Sequence, residues 1–316
     1  MPYVSIHGRR LGFDDNGLLF DGSPVGGYLP AGPRGKVFFV DSNIAASEGT
    51  SPATALATIA AAIAKCTASQ GDTVYVMPGH TEAVTSTSIA CNVGGVTFIG
   101  VGQGGKKPTL TFAATNSCIN VTAANCVWRN FRLQAAVGDV VTAVLHATAA
   151  TYTRYEDIEF FATSTFNFIN CYTLGAANIS DGCRWERNYL RTADAGQLAL
   201  CITGAAHDDL KFYDNTVIHA AAAAGLLTGG SSNFLGLIAR GNHVQTGQTD
   251  GTVGTLVITT GTASSGALVD NDIKTADTTL NVAIPIASKV YAARNYVAGA
   301  DEVGTVILIG TLFDNL

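Results

Sequence analysis

Charge is scarce in this chain: Asp, Glu, Lys and Arg make up 13% of its 316 residues, against about 25% in an average globular protein. A disordered chain, an acidic tail and a polybasic protein are thereby excluded. The balance of 18 Lys+Arg against 24 Asp+Glu leaves a net charge of −6, which supplies no electrostatic footprint for nucleic acid or an anionic membrane. Long apolar runs are missing as well. Although 47% of residues are hydrophobic and the mean hydropathy is +0.26, nothing approaches the roughly 18 uninterrupted apolar residues of a membrane helix. The best run is Ala220–Leu227. Arg9, Arg10, Asp14 and Asp15 interrupt Met1–Gly22, so no secretory signal is expected there.

Paired sulfur and metal motifs are absent too. The seven cysteines (66, 91, 118, 126, 171, 183 and 201) are odd in number and contain no CxxC pair, which disfavours a disulfide framework or a zinc knuckle. They read as reduced, core-filling thiols of a protein made in a reducing cytoplasm. None of the six histidines forms an i, i+2 or i, i+4 pair, and no Gly-x-Ser-x-Gly elbow occurs. No metal, cofactor or serine nucleophile is expected.

What is present divides into three stretches. Residues 1–36 are rich in Gly, Pro and Asp, with short apolar pairs around Asp14-Asp15-Asn16-Gly17. They predict an extended arm with one small hairpin. Residues 37–70 hold an entry strand, Val37-Phe38-Phe39-Val40. Ser51-Pro52 then opens a helix that places Leu56, Ile59, Ile63 and Cys66 on one face. From residue 71 to 316 short β-rich runs alternate with Gly, Asn and Thr, with no second convincing helix.

The third stretch repeats. A bulky residue, a polar pair, an Asn or Asp and an aliphatic or aromatic residue recur around Asn130, Asp157, Asn188, Asn215, Asn242, Asn271 and Asn295, spaced by 27, 31, 27, 27, 29 and 24 residues. A helix-free repeat of that length is too short for a propeller blade of roughly 40 residues. It fits a coil of three short strands. Stacking such coils at about 4.8 Å buries the inward residue of each strand. The Asn or Asp of each repeat then forms a structural ladder at a tight corner, because Asn tolerates the left-handed conformation and its amide can bond the next Asn. The fold class expected is all-β, a single-stranded parallel β-helix of about eight to nine coils.

At these residues a family resemblance enters. Gly71-Asp72-Thr73-Val74-Tyr75-Val76-Met77-Pro78-Gly79-His80, followed by Gly95-Val96-Thr97-Phe98-Ile99-Gly100, resembles the first coils of the pectin-lyase-like superfamily of right-handed parallel β-helices. More narrowly, Val37-Phe38-Phe39-Val40-Asp41-Ser42 with Gly49-Thr50-Ser51-Pro52-Ala53-Thr54-Ala55 and Met77-Pro78-Gly79-His80 is similar to β-helical structural proteins of tailed bacteriophages. The resemblance implies a virion protein on the exterior of the particle, a homotrimer that decorates or cements the head or forms a head spike. The alternative is a tail spike or fibre that binds or cleaves host-surface polysaccharide. In either case a host glycan is a candidate partner, and nucleic acid and membrane are not.

Two motifs point elsewhere on paper. Gly100-Val101-Gly102-Gln103-Gly104-Gly105-Lys106 satisfies both phosphate-loop patterns, but the strand-like Thr109-Leu110-Thr111-Phe112 follows where a helix is needed. Carboxylates that could serve glycan chemistry are Asp208-Asp209 beside His207, Glu186 between Arg184 and Arg187, Asp214, and the trio Glu156, Asp157 and Glu159. Stacked repeats would turn Glu186 and Asp214 to one side. No acidic pair is read at the one-coil spacing with a basic partner, so no carboxylate is expected to be catalytic. The arm carries Tyr3, Ile6, Arg9, Arg10, Leu11, Phe13, Leu18 and Phe20, too few apolar residues for a core of their own. It is expected to anchor the trimer to the major capsid protein or other virion proteins by adding strands or filling a groove.

Overall fold

The computed structural model describes residues 35–44, 48–85, 89–163, 165–191, 199–219, 225–229, 232–246, 258–259, 263–275 and 289–298, and the backbone of four strands before them. The chain divides into two compact units, Met1–Gly35 and Lys36–Leu316. In the first unit, β1 (Tyr3–Ile6), β2 (Arg9–Asp14), β3 (Gly17–Phe20) and β4 (Ser23–Pro24) pair in sequence order as an antiparallel meander. Asp14 faces Gly17 across β2 and β3, which leaves a two-residue connection at Asp15-Asn16, the commonest hairpin length. An extended arm with a single hairpin therefore understates the region: its apolar pairs lie on successive strands of a sheet. Of the expected anchor residues, Tyr3 and Ile6 belong to β1, Arg9, Arg10, Leu11 and Phe13 to β2, and Leu18 and Phe20 to β3; their side chains lie outside the described residues.

The second unit opens with β5 (Val37–Val40), which pairs in parallel with Thr73–Val76. The expected helix is shorter and begins later than Ser51. Pro52–Thr54 forms one 3-10 turn, Ala55 turns extended at φ −57° and ψ 147°, and α1 (Ile59–Ile63) starts after Thr58, whose hydroxyl accepts the Ala61 N–H. Leu56, Ile59 and Ile63 are buried and Cys66 is partly buried. An acid fastens this cap to the coils. Glu82 occupies an inward slot beside Leu110, and its Oε2 accepts the Ile59 N–H at 2.8 Å and lies 3.3 Å from Nε2 of buried His80.

Among the described residues the remainder is a parallel β-helix of three sheets, with ten, nine and seven strands. The ten-stranded first face runs from β5 to Lys289–Ala293, the nine-stranded second face from Thr81–Val84 to Tyr296–Ala298, and the seven-stranded third face from Ile89–Cys91 to Ile258–Thr259. Every pairing within these sheets joins one coil to the next in parallel. Short strands with period-2 burial, such as Thr97–Gly100 and Thr109–Phe112, are what a coil wrapped around an apolar interior requires. On the first face the inward column reads Val74, Phe98, Trp128, Tyr155, Trp185, Phe212, Ala239 and Leu268. Its rings stack, with centroids 4.2 Å apart for Phe98–Trp128 and 4.9 Å for Trp185–Phe212, each pair adding about 1 kcal/mol beyond area burial. All seven cysteines are free thiols, six of them buried.

Between first and second faces the chain turns in two residues, and these form two distinct columns. The first has positive φ in every coil from Asn130 onward: Asn130, Asp157, Arg187, Asp214, Gly241, Asp270 and Arg294. The second is inward and buried: Phe131, Ile158, Asn188, Asn215, Asn242, Asn271 and Asn295. The polar ladder is this second column from Asn188 on. Asn215 Oδ1 accepts the Asn188 N–H at 3.0 Å, while Asn215 Nδ2 donates to Trp185 O at 3.0 Å and to Asn242 Oδ1 at 2.9 Å. Asn242, Asn271 and Asn295 continue the pattern. Asn130 and Asp157 are not rungs of it, a correction to the series read from spacing. They sit one residue earlier, in the left-handed column. Asn130 Nδ2 donates to Gly100 O and Gly102 O at 2.7 and 2.8 Å, and Asp157 accepts Arg187 at 2.9 and 3.1 Å.

Candidate functional site

A strand that alternates in and out leaves two outward rows on each three-residue strand of the first face. Register sets Val127, Arg154, Arg184, Lys211 and Ile238 in one row and Arg129, Glu156, Glu186, Tyr213 and Arg240 in the other. Glu156 and Glu186 are thus Cα partners in adjacent coils. That corrects the expectation that no acidic pair recurs at the coil spacing with a basic partner, and it replaces the pairing of Glu186 with Asp214, which lies at the left-handed corner.

Both carboxylates are held by guanidinium groups. Arg129 donates to Glu156 Oε2 through Nε at 2.8 Å and Nη2 at 2.6 Å. Arg184 and Arg187 both pair with Glu186, and Arg187 Nη2 lies 3.8 Å from Glu156. The Asp157 carboxylate beside Arg187 and the nearby Glu186 and Glu156 raise the guanidinium pKa. Two stacked carboxylates would repel one another; alternating them with arginines turns the repulsion into a network. The third acid of that trio, Glu159, faces outward on the second face, 3.2 Å from Arg132. Arg184 also lies with Cζ 4.7 Å from the Tyr213 ring centroid.

Beside this network runs a groove of about 420 Å³ lined by Asn125, Val127, Tyr152, Arg154, Gly182, Arg184, Asp209 and Lys211. Lys211 Nζ donates to Asp209 Oδ2 at 2.8 Å. For Arg154, which is exposed, no carboxylate lies within ion-pair distance among the described residues. None of Tyr152, Arg154 and Lys211 stands out in the sequence. The signal that finds them is the ladder period, since 154, 184 and 211 are separated by the same 30 and 27 residues as 158, 188 and 215.

The remaining candidates do not converge. His207 points inward, fully buried, with Nε2 3.1 Å from the Thr203 hydroxyl; burial lowers its pKa. Asp208 Oδ1 accepts the Leu235 N–H at 3.1 Å, and its own N–H is bound by Asp181 Oδ1 at 2.8 Å, so this acid stitches coil corners together. A histidine–serine pair exists, His146 Nδ1 to Ser180 Oγ at 2.8 Å, with His146 Nε2 2.7 Å from the Tyr155 hydroxyl. All three are buried, and no substrate reaches them. Burial pushes the imidazole down to about 3 and the phenol up, so both are neutral and serve as core hydrogen-bonding groups. The glycine-rich loop at residues 100–106 ends in a 3-10 turn, Gly104–Lys106, and enters the strand Thr109–Phe112; it opens no helix.

The third face differs in character. Its outward row reads Ala90, Asn120, Leu145, Thr173, Ile202 and Thr228, with no charged residue among the described positions. Among the described residues no helix is long and apolar enough to cross a membrane, and no group of three or more His, Cys, Asp or Glu is placed to hold a metal ion.

No protein-family model and no curated protein matches the chain. Among solved structures, a rhamnogalacturonan lyase is similar in outline: 12% identical, with 87% of this chain and 90% of that chain covered, at a TM-score of 0.37.

Proposed function

We propose that this protein is a structural component of a tailed-bacteriophage particle, a homotrimer on its exterior that decorates or cements the head or stands on it as a head spike. The observation that carries the reading is the uncharged third face. Six successive coils present Ala, Asn, Leu, Thr, Ile and Thr outward while the first face carries the arginine–glutamate network. Sheet surfaces depleted of charge are the kind that pack against copies of themselves, and three such faces close around a threefold axis. The separate N-terminal β-meander is the attachment module, docking on the major capsid protein or a neighbouring subunit. The fixed salt bridges of Glu156 and Glu186 suit a scaffold, since a general acid must be free to give up a proton. Removing residues 1–35 tests attachment. The β-helix is expected to fold and stay soluble but to be missing from purified particles; incorporation at normal occupancy would refute this role.

A further inference from the structure

Two thiols meet inside the corner that leads from the third face to the first. Cys91 ends the last strand of the first three-strand coil, and Cys126 closes the second coil, directly before the strand Val127–Arg129. Both are fully buried. The Cys91 S–H donates to Cys126 Sγ, with the sulfurs 3.5 Å apart. Neither has an equal rival nearby. Cys183, in the Cys126 column, stands two coils away, about 10 Å at ~4.8 Å per coil, whereas the Cα atoms of a disulfide lie at most about 7 Å apart. Cys66 turns its S–H to Ala62 O at 3.3 Å, and burial, with Asp72 nearby, pushes its pKa up to about 12. Cys126 behaves oppositely: the Cys91 S–H, helped by the backbone at Val96 and Gly95, holds its pKa below the ordinary thiol value against the effect of burial. Its thiolate is therefore the nucleophile of the pair. The sulfur lies 3.4, 3.6 and 3.7 Å from the carbonyl oxygens of Val93, Ala123 and Ala124, residues of the corner turns that are themselves partly exposed. A single layer of turn separates it from solvent.

We propose that Cys91 and Cys126 form an oxidation site, at which hydrogen peroxide converts the two thiols to a disulfide that staples the first coil to the second. The Cys126 thiolate attacks one peroxide oxygen and the O–O bond breaks. Hydroxide leaves, takes up the proton that the thiol released and becomes water, while Cys126 becomes a sulfenic acid. The Cys91 sulfur then attacks Cys126 Sγ, the S–O bond breaks, and the departing hydroxide carries off the Cys91 proton as a second water. Two thiols thus give up two electrons and two protons, and the peroxide accepts both. The sulfurs have to close from 3.5 Å to about 2.05 Å, a movement shared between two side-chain rotations. The position gives the bond its effect. Coils at the end of a solenoid have fewer neighbours than those in the middle, so they open first. A bond between residues 91 and 126 encloses a whole coil and restricts the unfolded chain accordingly. This oxidation goes beyond the structural role and does not depend on it.

The test is treatment of the full, reduced chain with hydrogen peroxide, followed by mass spectrometry of the intact protein and of its peptides. The parent is expected to lose the mass of two hydrogen atoms, to yield a linked Cys91–Cys126 peptide pair as its main cross-link, and to melt about 5 °C higher until a reductant is added. Cys91→Ala is expected to accumulate a Cys126 sulfenic acid, trapped by dimedone, with no rise in melting temperature. The mapping on the parent decides the matter even if that variant folds poorly. A main cross-link through Cys66, oxidation that leaves Cys91 and Cys126 as thiols, or a Cys91→Ala protein that still gains the thermal shift would overturn the proposal.

Discussion

Two adjacent columns, one left-handed and one buried and asparagine-rich, show how much a single position decides. Asn215 is fully buried and satisfies groups in the coils before and after it. Replacing it with alanine strands the Asn188 N–H and the Trp185 carbonyl without water, and a buried unmade bond costs about 1–3 kcal/mol. The expected loss for Asn215→Ala is about 3 kcal/mol, read as a lower urea midpoint with an unchanged slope. Asn130 is only partly buried and occupies the left-handed corner, so Asn130→Gly should cost about 1 kcal/mol or less, because glycine keeps the backbone at ease. Sequence spacing alone puts both residues in one series. The gap of 31 residues between 157 and 188 conceals the slip: between the true column-mates, Ile158 and Asn188, it is 30. The early coils fill the ladder slot with Phe131 and Ile158, an apolar solution to the same corner that no polar pattern reveals.

Elements are tied to one another by neutral polar groups inside the coil. His146 on the third face bonds Ser180 in a turn and Tyr155 on the first face. In the folded protein its pKa is lowered to about 3 from an ordinary 6.5 by burial, with His207 adding to the effect. Between these values the unfolded chain holds a proton that the folded one does not, so unfolding is favoured as pH falls. The stabilisation is complete above pH ~6.5 and declines by about 1.4 kcal/mol per pH unit from ~6.5 toward 3. In denaturant titrations from pH 7 to pH 4, His146→Gln is expected to show an acid limb shallower by about that amount; parallel limbs for the two proteins would place the acid sensitivity elsewhere. The cap follows the same logic at another junction. There Glu82, not an apolar residue, fills an inward slot in order to receive the first amide of α1. The sequence pattern predicts a helix from Ser51. Ala55 leaves the helical region after one turn, and its carbonyl neighbours bond the entry strand instead: Leu56 N–H to Phe39 O and Asp41 N–H to Leu56 O, both at 2.8 Å. Tertiary pairing thus overrides a local helical pattern.

At the scale of the molecule, the parallel β-helix is legible because each coil repeats one burial pattern along the chain, from Phe98 to Leu268 on the first face. The groove is not legible in the same way. Tyr152 and Arg154 gain meaning only when the true register aligns them with Gly182 and Arg184, and a series that is one residue out hides that alignment. The pairing of Glu156 with Glu186 is hidden in the sequence for the same reason. The uncharged third face leads to a prediction about assembly. Ile202 points outward on that face, on the strand beside the middle one, so Ile202→Glu adds a charge that a monomer can solvate and a face-to-face trimer cannot. Sedimentation is expected to show a folded monomer for this variant and a trimer for the parent; a parent that sediments as a monomer would remove the basis for packing through this face.

The most direct measurement of the proposed virion role is electron cryo-microscopy of purified bacteriophage particles searched for this chain. The account predicts three parallel β-helices on the particle exterior, packed with Leu145, Thr173 and Ile202 toward the threefold axis and joined to the shell through residues 1–35. Particles that lack the chain, or that carry it with the third face turned to solvent, would contradict it.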